Sequence, residues 1–403
     1  MDTLMIFTAM LLVAMVVEPL ARFTRLPFSV LLVLVGFVGS ELIVMLGFDT
    51  GLRWDTFNHL ILQVFVPILV FESAFNMNAR ALISHLPVVL FLAVPAMVLA
   101  AVMTGLLLYF GIGHATGFPL LTALLCGSIV SATDPVAVVA LCKQLGAPER
   151  LGIVLEGESL FNDATAVVLF TVLIGLATMP GSGASVGLAF EQFLYDFLGG
   201  AGVGLLTGAA AWLLYQLFSR PLHHAIISLA TAATAFYLGQ TILHVSGIMT
   251  VLCAGLLLGE CHRRMPRLEE QIAGDVWELA AYVCTALLFL LVGVTITGHL
   301  FSSHWLAMLI GVVGATLARA TVIYVLLPLL MVLLRQGKPP ASHRHVLMWG
   351  GVRGAVCIAL ALSLPTQIEG WYTAHSVTYG VVLFTLFVQA PLMAPLVRRA
   401  ARP

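Results

Sequence analysis

Thirteen apolar stretches run along this chain, and each is long enough to cross a membrane. A membrane-spanning helix needs about 20 mostly apolar residues. The runs are continuous, whereas the strands of a membrane barrel would alternate polar and apolar residues. They therefore predict an all-α polytopic membrane protein with about 13 transmembrane helices in a single domain, 1–403. The predicted spans lie near 3–21, 28–46, 57–76, 84–110, 119–142, 151–178, 189–218, 223–243, 246–262, 273–298, 304–334, 343–365 and 375–397.

The composition agrees with a membrane solvent. The chain is 61% hydrophobic and 9% charged, whereas soluble globular chains carry about 25% charged residues. The net charge of -1 and the placement of the basic residues in loops give no reason to expect nucleic acid binding.

The six cysteines show no paired CxxC spacing, which indicates reduced packing residues. We interpret the histidines, such as His223, His224, His343 and His345, as interfacial polar residues, with a pH-sensing role as the alternative. No cofactor is expected.

The basic residues predict an orientation. Outside the spans, nearly all of them lie in every second connection between helices or in the C-terminal tail. Of the connections on the other side of the membrane, only the one with Arg53 carries a basic residue. With an odd number of helices, the positive-inside rule places the C-terminus in the cytoplasm and the N-terminus outside, in the cell (inner) membrane. The N-terminal run lacks a basic leader and a cleavage site, so we interpret it as a retained helix. The other loop and tail residues are Arg22, Arg25, Arg80, Lys143, Arg150, Arg220, Arg263, Arg264, Arg267, Arg335, Lys338, Arg344, Arg398, Arg399 and Arg402.

The fifth span is interrupted by the sequence SATDPVAV, residues 131–138. Pro135 lacks a backbone donor and disfavours helical geometry at Asp134, so the helix should break there. A carboxylate at mid-membrane depth costs roughly 2.5 to 3.5 kcal/mol, so it is normally retained for function. Broken helices in transporters present carbonyls and helix ends to an ion. We therefore expect Ser131, Thr133 and Asp134 to lie at an ion site, with a simple kink as the alternative.

The sixth span contains EGESLFNDATAVVLF, residues 156–170. Ser159 and Asp163 are four residues apart, so their side chains share one face of a helix. Hydroxyl and carboxylate oxygens suit a small hard cation and not a soft metal. Asn162 offers a neutral amide beside Asp163.

The twelfth span, MWGGVRGAVCIALAL, is predicted to be interrupted around a charge, as the fifth is, since Gly350, Gly351 and Gly354 weaken a helix around Arg353. Two interrupted helices seven spans apart predict an inverted repeat, with spans one to six matching eight to thirteen and the two breaks crossing at the ion site. Ordinary close packing of the glycines is the alternative. A buried arginine needs an acid, and Glu158 is the first choice for a structural ion pair.

Two further charges fall inside spans. Arg319 lies in the eleventh span, and Glu72 lies in the third. Glu72 either completes the ion shell, which we favour, or sits near the membrane interface ahead of Arg80.

The segments SATDPVAV, EGESLFNDATAVVLF and GGVRGAVCIALAL resemble the three signature segments of the monovalent cation:proton antiporters, and specifically the NhaP branch that includes the animal sodium/hydrogen exchangers. The resemblance extends along the whole chain. It implies an NhaA-like fold with two crossed discontinuous helices, and a homodimer. It further implies interface helices at about 1–80 and 185–300, and a six-helix core at about 84–180 and 303–397.

The resemblance also implies roles for site residues. Asp163 binds either cation or proton, Asn162 orients its neighbours, and Glu158 pairs with Arg353. Arg319 matches a second arginine common in the family. The ligands of the transported Na+ would be Asp163, Asp134, Ser159, Thr133 and Glu72.

These features predict a secondary transporter, not an enzyme, that exchanges Na+ or Li+ for H+ and serves salt or pH homeostasis. One carboxylate cannot comfortably hold both ions, so their competition makes exchange obligatory. Electrogenic relatives in the wider superfamily use two adjacent aspartates and an interior lysine. Here Asn162 precedes Asp163 and the spans contain no lysine, so the resemblance implies electroneutral 1:1 exchange. The runner-up is K+/H+ exchange. The remote alternatives are an intramembrane aspartyl protease using Asp134 and Asp163, although the GxGD pattern is missing, and a cation channel.

Overall fold

The computed structural model describes residues 3–24, 27–45, 60–113, 118–178, 186–218, 220–264, 267–296, 298–335, 337 and 339–401. Within these residues the chain is helical, with no strand. Arg25, Arg53, Lys338 and Arg402, which carry part of the predicted orientation, lie outside the described residues, as do the ends of several predicted spans.

The helices follow the apolar runs. They are α1 (Thr3–Thr24), α2 (Phe28–Met45), α3 (Val66–Asn76), α4 (Ala79–Phe91), α5 (Met97–Gly111), α6 (Leu120–Ser131), α7 (Val136–Gln144), α8 (Glu149–Thr178), α9 (Val186–Leu217), α10 (Pro221–Tyr237), α11 (Gly247–His262), α12 (Arg267–Thr295), α13 (Gly298–Thr321), α14 (Leu327–Leu333), α15 (Ala341–Trp349), α16 (Ala355–Leu362), α17 (Trp371–Phe384) and α18 (Ala390–Ala400).

The predicted spans correspond to these helices. Among the described residues, eight helical segments are long and apolar enough to cross a membrane, and four apolar helices are shorter. The remaining predicted span, 343–365, is divided between the short helices α15 and α16. The predicted interruption of that span is therefore present.

Several helices contain a five-residue π-helical turn. Four of the five turns either contain a proline or are followed by one two residues later: Pro95, or Pro67, Pro328 and Pro391. Proline has no N–H and collides with the carbonyl four residues earlier, so a wider turn accommodates it. The turns are Ile61–Phe65, Leu92–Ala96, Leu238–Ile242, Val322–Leu326 and Thr385–Gln389.

The chain divides into two compact units. The first unit comprises Met1–Leu62, Leu99–Gly152 and Val283–Pro403. In it, α17 packs against α13, α6 and α16, while α18 packs against α15 and α7. Gly127 of α6 lies directly against the backbone of Ala101 in α5, so these helices touch without intervening side chains.

The second unit comprises Gln63–Val98 and Ile153–Tyr282. Its central helix is α11, which contacts α3, α4, α9 and α10. Gly204 of α9 lies against the carbonyl of Thr250, and Gly259 of α11 lies against the carbonyl of Phe75. Small residues at helix contacts of this kind let backbones approach closely in membrane proteins.

The structure also places the histidine and cysteine side chains that the sequence singled out. His224, interpreted from sequence as interfacial, is 1% exposed, and its Nε2 lies 2.7 Å from the carbonyl oxygen of Phe218 near the start of α10. It is thus a buried side chain at a helix end. The six cysteines are all buried, as expected of packing residues.

Candidate functional site

The first break separates α6 from α7 in the first unit. Helix α6 ends at Ser131, the backbone is extended at Ala132, and α7 starts after Pro135. Thr133 is buried, at 3% exposure, and Asp134 is half-buried. The break lies where Pro135 predicted it, because proline and the residue before it both disfavour helical hydrogen bonding.

The second break separates α15 from α16, and it lies against the first. The backbone N–H of Asp134 donates to the carbonyl of Val352 at 2.7 Å. A β-carbon added to Gly351 would lie 3.3 Å from the methyl group of Thr133. The two interruptions therefore meet, as the repeat pattern predicted, and each satisfies part of the other's backbone.

The Asp134 carboxylate lies at the start of two helices. Its Oδ1 accepts from the N–H of Val136 at 3.1 Å, at the start of α7. It also accepts from the N–H of Ala355, at the start of α16. Helix N-termini carry partial positive charge and unpaired N–H groups, so one carboxylate stabilises both ends.

Two arginines lie at the opposite helix ends. Arg353 is 5% exposed, and its Nη1 donates to the carbonyls of Ser131 at 3.0 Å and Ala132 at 3.2 Å, at the end of α6. Arg319 donates from Nη2 to the carbonyl of Leu347 at 2.9 Å, near the end of α15. Helix C-termini carry partial negative charge, so a guanidinium stabilises each.

The crossing is thus an arrangement of four helix ends and three charges. Each charge opposes the sign of the helix ends that it contacts. Such an arrangement satisfies polar backbone groups inside an apolar protein.

The second unit carries the residues of the sixth span on α8. This helix is unbroken over residues 149–178, so Ser159 and Asp163 share a face as expected. Asn162 is 1% exposed, Glu158 is 2% exposed and Ser159 is 9% exposed, while Asp163 is half-buried. The helix starts at Glu149, slightly before the predicted start of the span.

Glu72 lies on α3, four residues before its last residue. Its carboxylate accepts from Nδ2 of Asn76 at 2.7 Å and from the hydroxyl of Ser73 at 3.4 Å. The carboxylate is thus bonded to its own helix end, and the predicted role in the ion shell stays a prediction.

Sequence reasoning missed one residue of the crossing, Thr385. It is 2% exposed, and its Oγ1 accepts from the backbone N–H of Arg353 at 3.1 Å while donating to the carbonyl of Val382 at 2.9 Å. The only sequence signal was a polar pair, Thr385 and Gln389, four residues apart in an apolar span.

The chain matches known proteins over nearly its whole length. Residues 7–399 match the family described as sodium/hydrogen exchanger, transmembrane. The chain is 34% identical to the Na(+)/H(+) antiporter ApNhaP of Aphanothece halophytica, over 94% of this chain and 70% of that protein. It is 31% identical to the Na(+)/H(+) antiporter NhaH of Halobacillus dabanensis, over 97% of this chain and 96% of that protein.

The fold also matches a solved structure. The sodium proton antiporter MjNhaP1 from Methanocaldococcus jannaschii superposes with a TM-score of 0.82 at 19% identity, over 99% of both chains. The predicted fold class, an all-helical polytopic membrane protein, is confirmed by this match.

Proposed function

Because the chain belongs to the sodium/hydrogen exchanger family, we propose that it exchanges Na+ or Li+ for H+ across the membrane by alternating access. The family resemblance read from the three motifs is thereby confirmed. The relatives described above are named for Na+, so K+ is not the favoured substrate.

The observation that supports this function most directly is the meeting of two broken helices around Asp134. A break in each of two membrane helices would leave backbone groups unpaired, and here they are matched by Asp134, Arg319 and Arg353. This construction suits the transfer of a small cation, since it fixes oxygen ligands where water is scarce.

Asp163 is the proposed carrier. It is half-buried on an unbroken helix with Ser159 one turn earlier on the same face. A carboxylate holds a proton or a cation but not both comfortably, so loading one ion releases the other. The sequence motifs support Asp134, Ser159, Thr133 and Glu72 as further cation ligands and Asn162 as the residue that orients them.

A structural ion pair of Glu158 with Arg353 is the second part of this proposal. Each side chain is at most 5% exposed, and a buried charge without a counter-charge would be strongly destabilising.

The experiment is cation-induced proton movement in proteoliposomes, with Na+, Li+ and K+ tested separately. The variants are Asp163→Asn and, as a matched control, Asp275→Asn, which changes an exposed aspartate of α12. We expect Na+ and Li+ exchange in the wild type and the control and none in Asp163→Asn. Activity that survives in Asp163→Asn would overturn the carrier assignment, and exchange with K+ alone would overturn the substrate.

The exchange is proposed to be electroneutral, one Na+ for one H+. Asn162 stands where a second acid could have stood beside Asp163, and both lysines of the chain, Lys143 and Lys338, lie outside the predicted spans. A potential-sensitive dye tests this in the same vesicles. A potential generated by Na+-driven proton movement, or a rate that follows an imposed potential, would contradict it.

The proposed assembly is a homodimer in the cell membrane with the N-terminus outside and the C-terminus in the cytoplasm. Interface helices are proposed at 1–80 and 185–300, and the ion-carrying core at 84–180 and 303–397. Cysteine pairs placed in the proposed interface helices should cross-link two copies in native membranes. Cross-linking confined to the core ranges would contradict the assignment.

A further inference from the structure

A small cavity lies inside the first unit beside the second break. Its polar lining comes from α13, from the break and from the π-helical turn of the last span, and it has room for about one water molecule. The residues that matter here are Thr316, Arg319, Gly351, Arg353, Thr385 and Gln389.

Gln389 gives the cavity its chemistry. Its side chain is 5% exposed, and its Oε1 is buried with no hydrogen-bond partner among the described residues. A buried acceptor left without a donor costs about 1–3 kcal/mol. The cavity is therefore expected to hold a group that donates to Gln389.

The two threonines offer acceptors to such a guest. The hydroxyl of Thr316 donates to the carbonyl of Val312 at 2.6 Å, and the hydroxyl of Thr385 donates to the carbonyl of Val382 at 2.9 Å. Both hydroxyl protons are thus bonded to the backbone, so the threonines can offer a guest only acceptor lone pairs. One lone pair of Thr385 already accepts from the backbone N–H of Arg353. Arg319 and Arg353 add guanidinium groups, which only donate.

This mixed lining selects among guests of one-water size. A cation would be repelled by two guanidiniums, since like charges in a low-dielectric site interact strongly. An anion cannot donate to Gln389 and would face the lone pairs of the threonines. Water both donates and accepts, so it can satisfy Gln389 and accept from a guanidinium at once.

We propose that one ordered water molecule occupies this cavity, donates to Oε1 of Gln389 and bonds the last span to the second break. Thr385 already holds the backbone N–H of Arg353 directly. The water extends that connection by one turn of the same helix. The proposal concerns this water site alone and does not depend on which ions the protein exchanges.

The test is a structure of the wild type at a resolution that shows buried waters, determined in chloride and in bromide. We expect a water peak at hydrogen-bond distance from the Gln389 side chain and no anomalous bromide signal there. A bromide peak, or an empty cavity in a map that shows other buried waters, would overturn the proposal.

A variant tests the proposal independently, because the change in melting temperature has opposite signs with and without a bound water. Gln389→Met keeps the length of the side chain and removes the acceptor. If Oε1 of Gln389 has no partner, removing it relieves the cost of burying it and raises the melting temperature. If Oε1 accepts from a bound water, removing it leaves that water short of a partner and lowers the melting temperature. We expect a lowered melting temperature and loss of the water peak. Gln144→Met, at an exposed position of α7, controls for the exchange of side-chain type, and a rise beyond this control would contradict the proposal.

Discussion

Gly354 lies so close to Asp134 that a β-carbon at position 354 would overlap the Asp134 side chain. The two residues belong to different breaks, separated by more than half of the chain. Their contact brings the carboxylate onto the N–H of Ala355, the residue after Gly354. The glycine of the second break is therefore needed because of the carboxylate of the first.

The first prediction concerns this contact. Gly354→Ala should strongly lower the melting temperature in detergent and abolish exchange, since either the carboxylate or the break must move. Gly152→Ala is the control, because a β-carbon there has no atom within 4 Å and alanine favours the helix by about 1 kcal/mol. Equal behaviour of the two variants would show that the close approach is unimportant.

The second prediction concerns the end of α6. Arg353→Gln removes the positive charge and the two bonds from Nη1 to Ser131 and Ala132. A hydrogen bond that involves a charged group typically contributes about 1.5–3 kcal/mol, so the melting temperature should fall by several degrees. Arg399→Gln, at an exposed position of α18, should leave it unchanged. A shift no larger than that of the control would contradict the described role.

The third prediction uses two glycines of α9. Gly204→Ala places a methyl group against Thr250 and Cys253 of α11, whereas Gly202→Ala meets nothing within 4 Å. Overpacking typically costs about 1–3 kcal/mol, so the first variant should be less stable than the wild type and the second should not. Thermal unfolding in detergent compares them, and the reverse order would refute the packing of α9 on α11.

The fourth prediction concerns a charge cluster at the end of α11. Glu260 contacts Arg80 at 2.8 Å, Arg264 at 3.3 Å and Arg263 at 3.4 Å. Glu260→Gln leaves three cations close together, and the loss of stability should shrink as salt screens them. Melting temperatures at low and high salt measure the change. A loss independent of salt would show that packing, and not charge, is responsible.

Much of the fold could be predicted because a chain that crosses a lipid bilayer must satisfy its backbone hydrogen bonds internally, which few structures can do. Apolar runs of sufficient length become helices, and Pro135 and the glycines around Arg353 mark the interruptions. The pairing of the two breaks followed from their positions in the repeat. Helix α8 likewise placed Ser159 and Asp163 on one face because the periodicity of a helix is fixed.

The partners of the charges could not be predicted in the same way. From sequence, only an acid was considered as a partner of Arg353, and the ion pair with Glu158 stays a prediction; the bonds from its Nη1 to the carbonyls of Ser131 and Ala132 were not foreseen. Every residue has a carbonyl, so such a partner has no signature in the sequence. Thr385 was missed for a related reason, since one hydroxyl in an apolar span ordinarily bonds to its own helix.

The π-helical turn Thr385–Gln389 rotates the side chains that follow it in the last span about the helix axis, relative to those that precede it. A π turn holds one more residue than the α-helical turn that it replaces, and one residue corresponds to about 100° of rotation about an α-helix axis. Side chains of α17 and α18 are thus offset by about that angle, as if one residue had been inserted between them. Deleting a single residue from the turn would remove this offset and rotate α18 onto another face, whereas a substitution would leave its orientation unchanged.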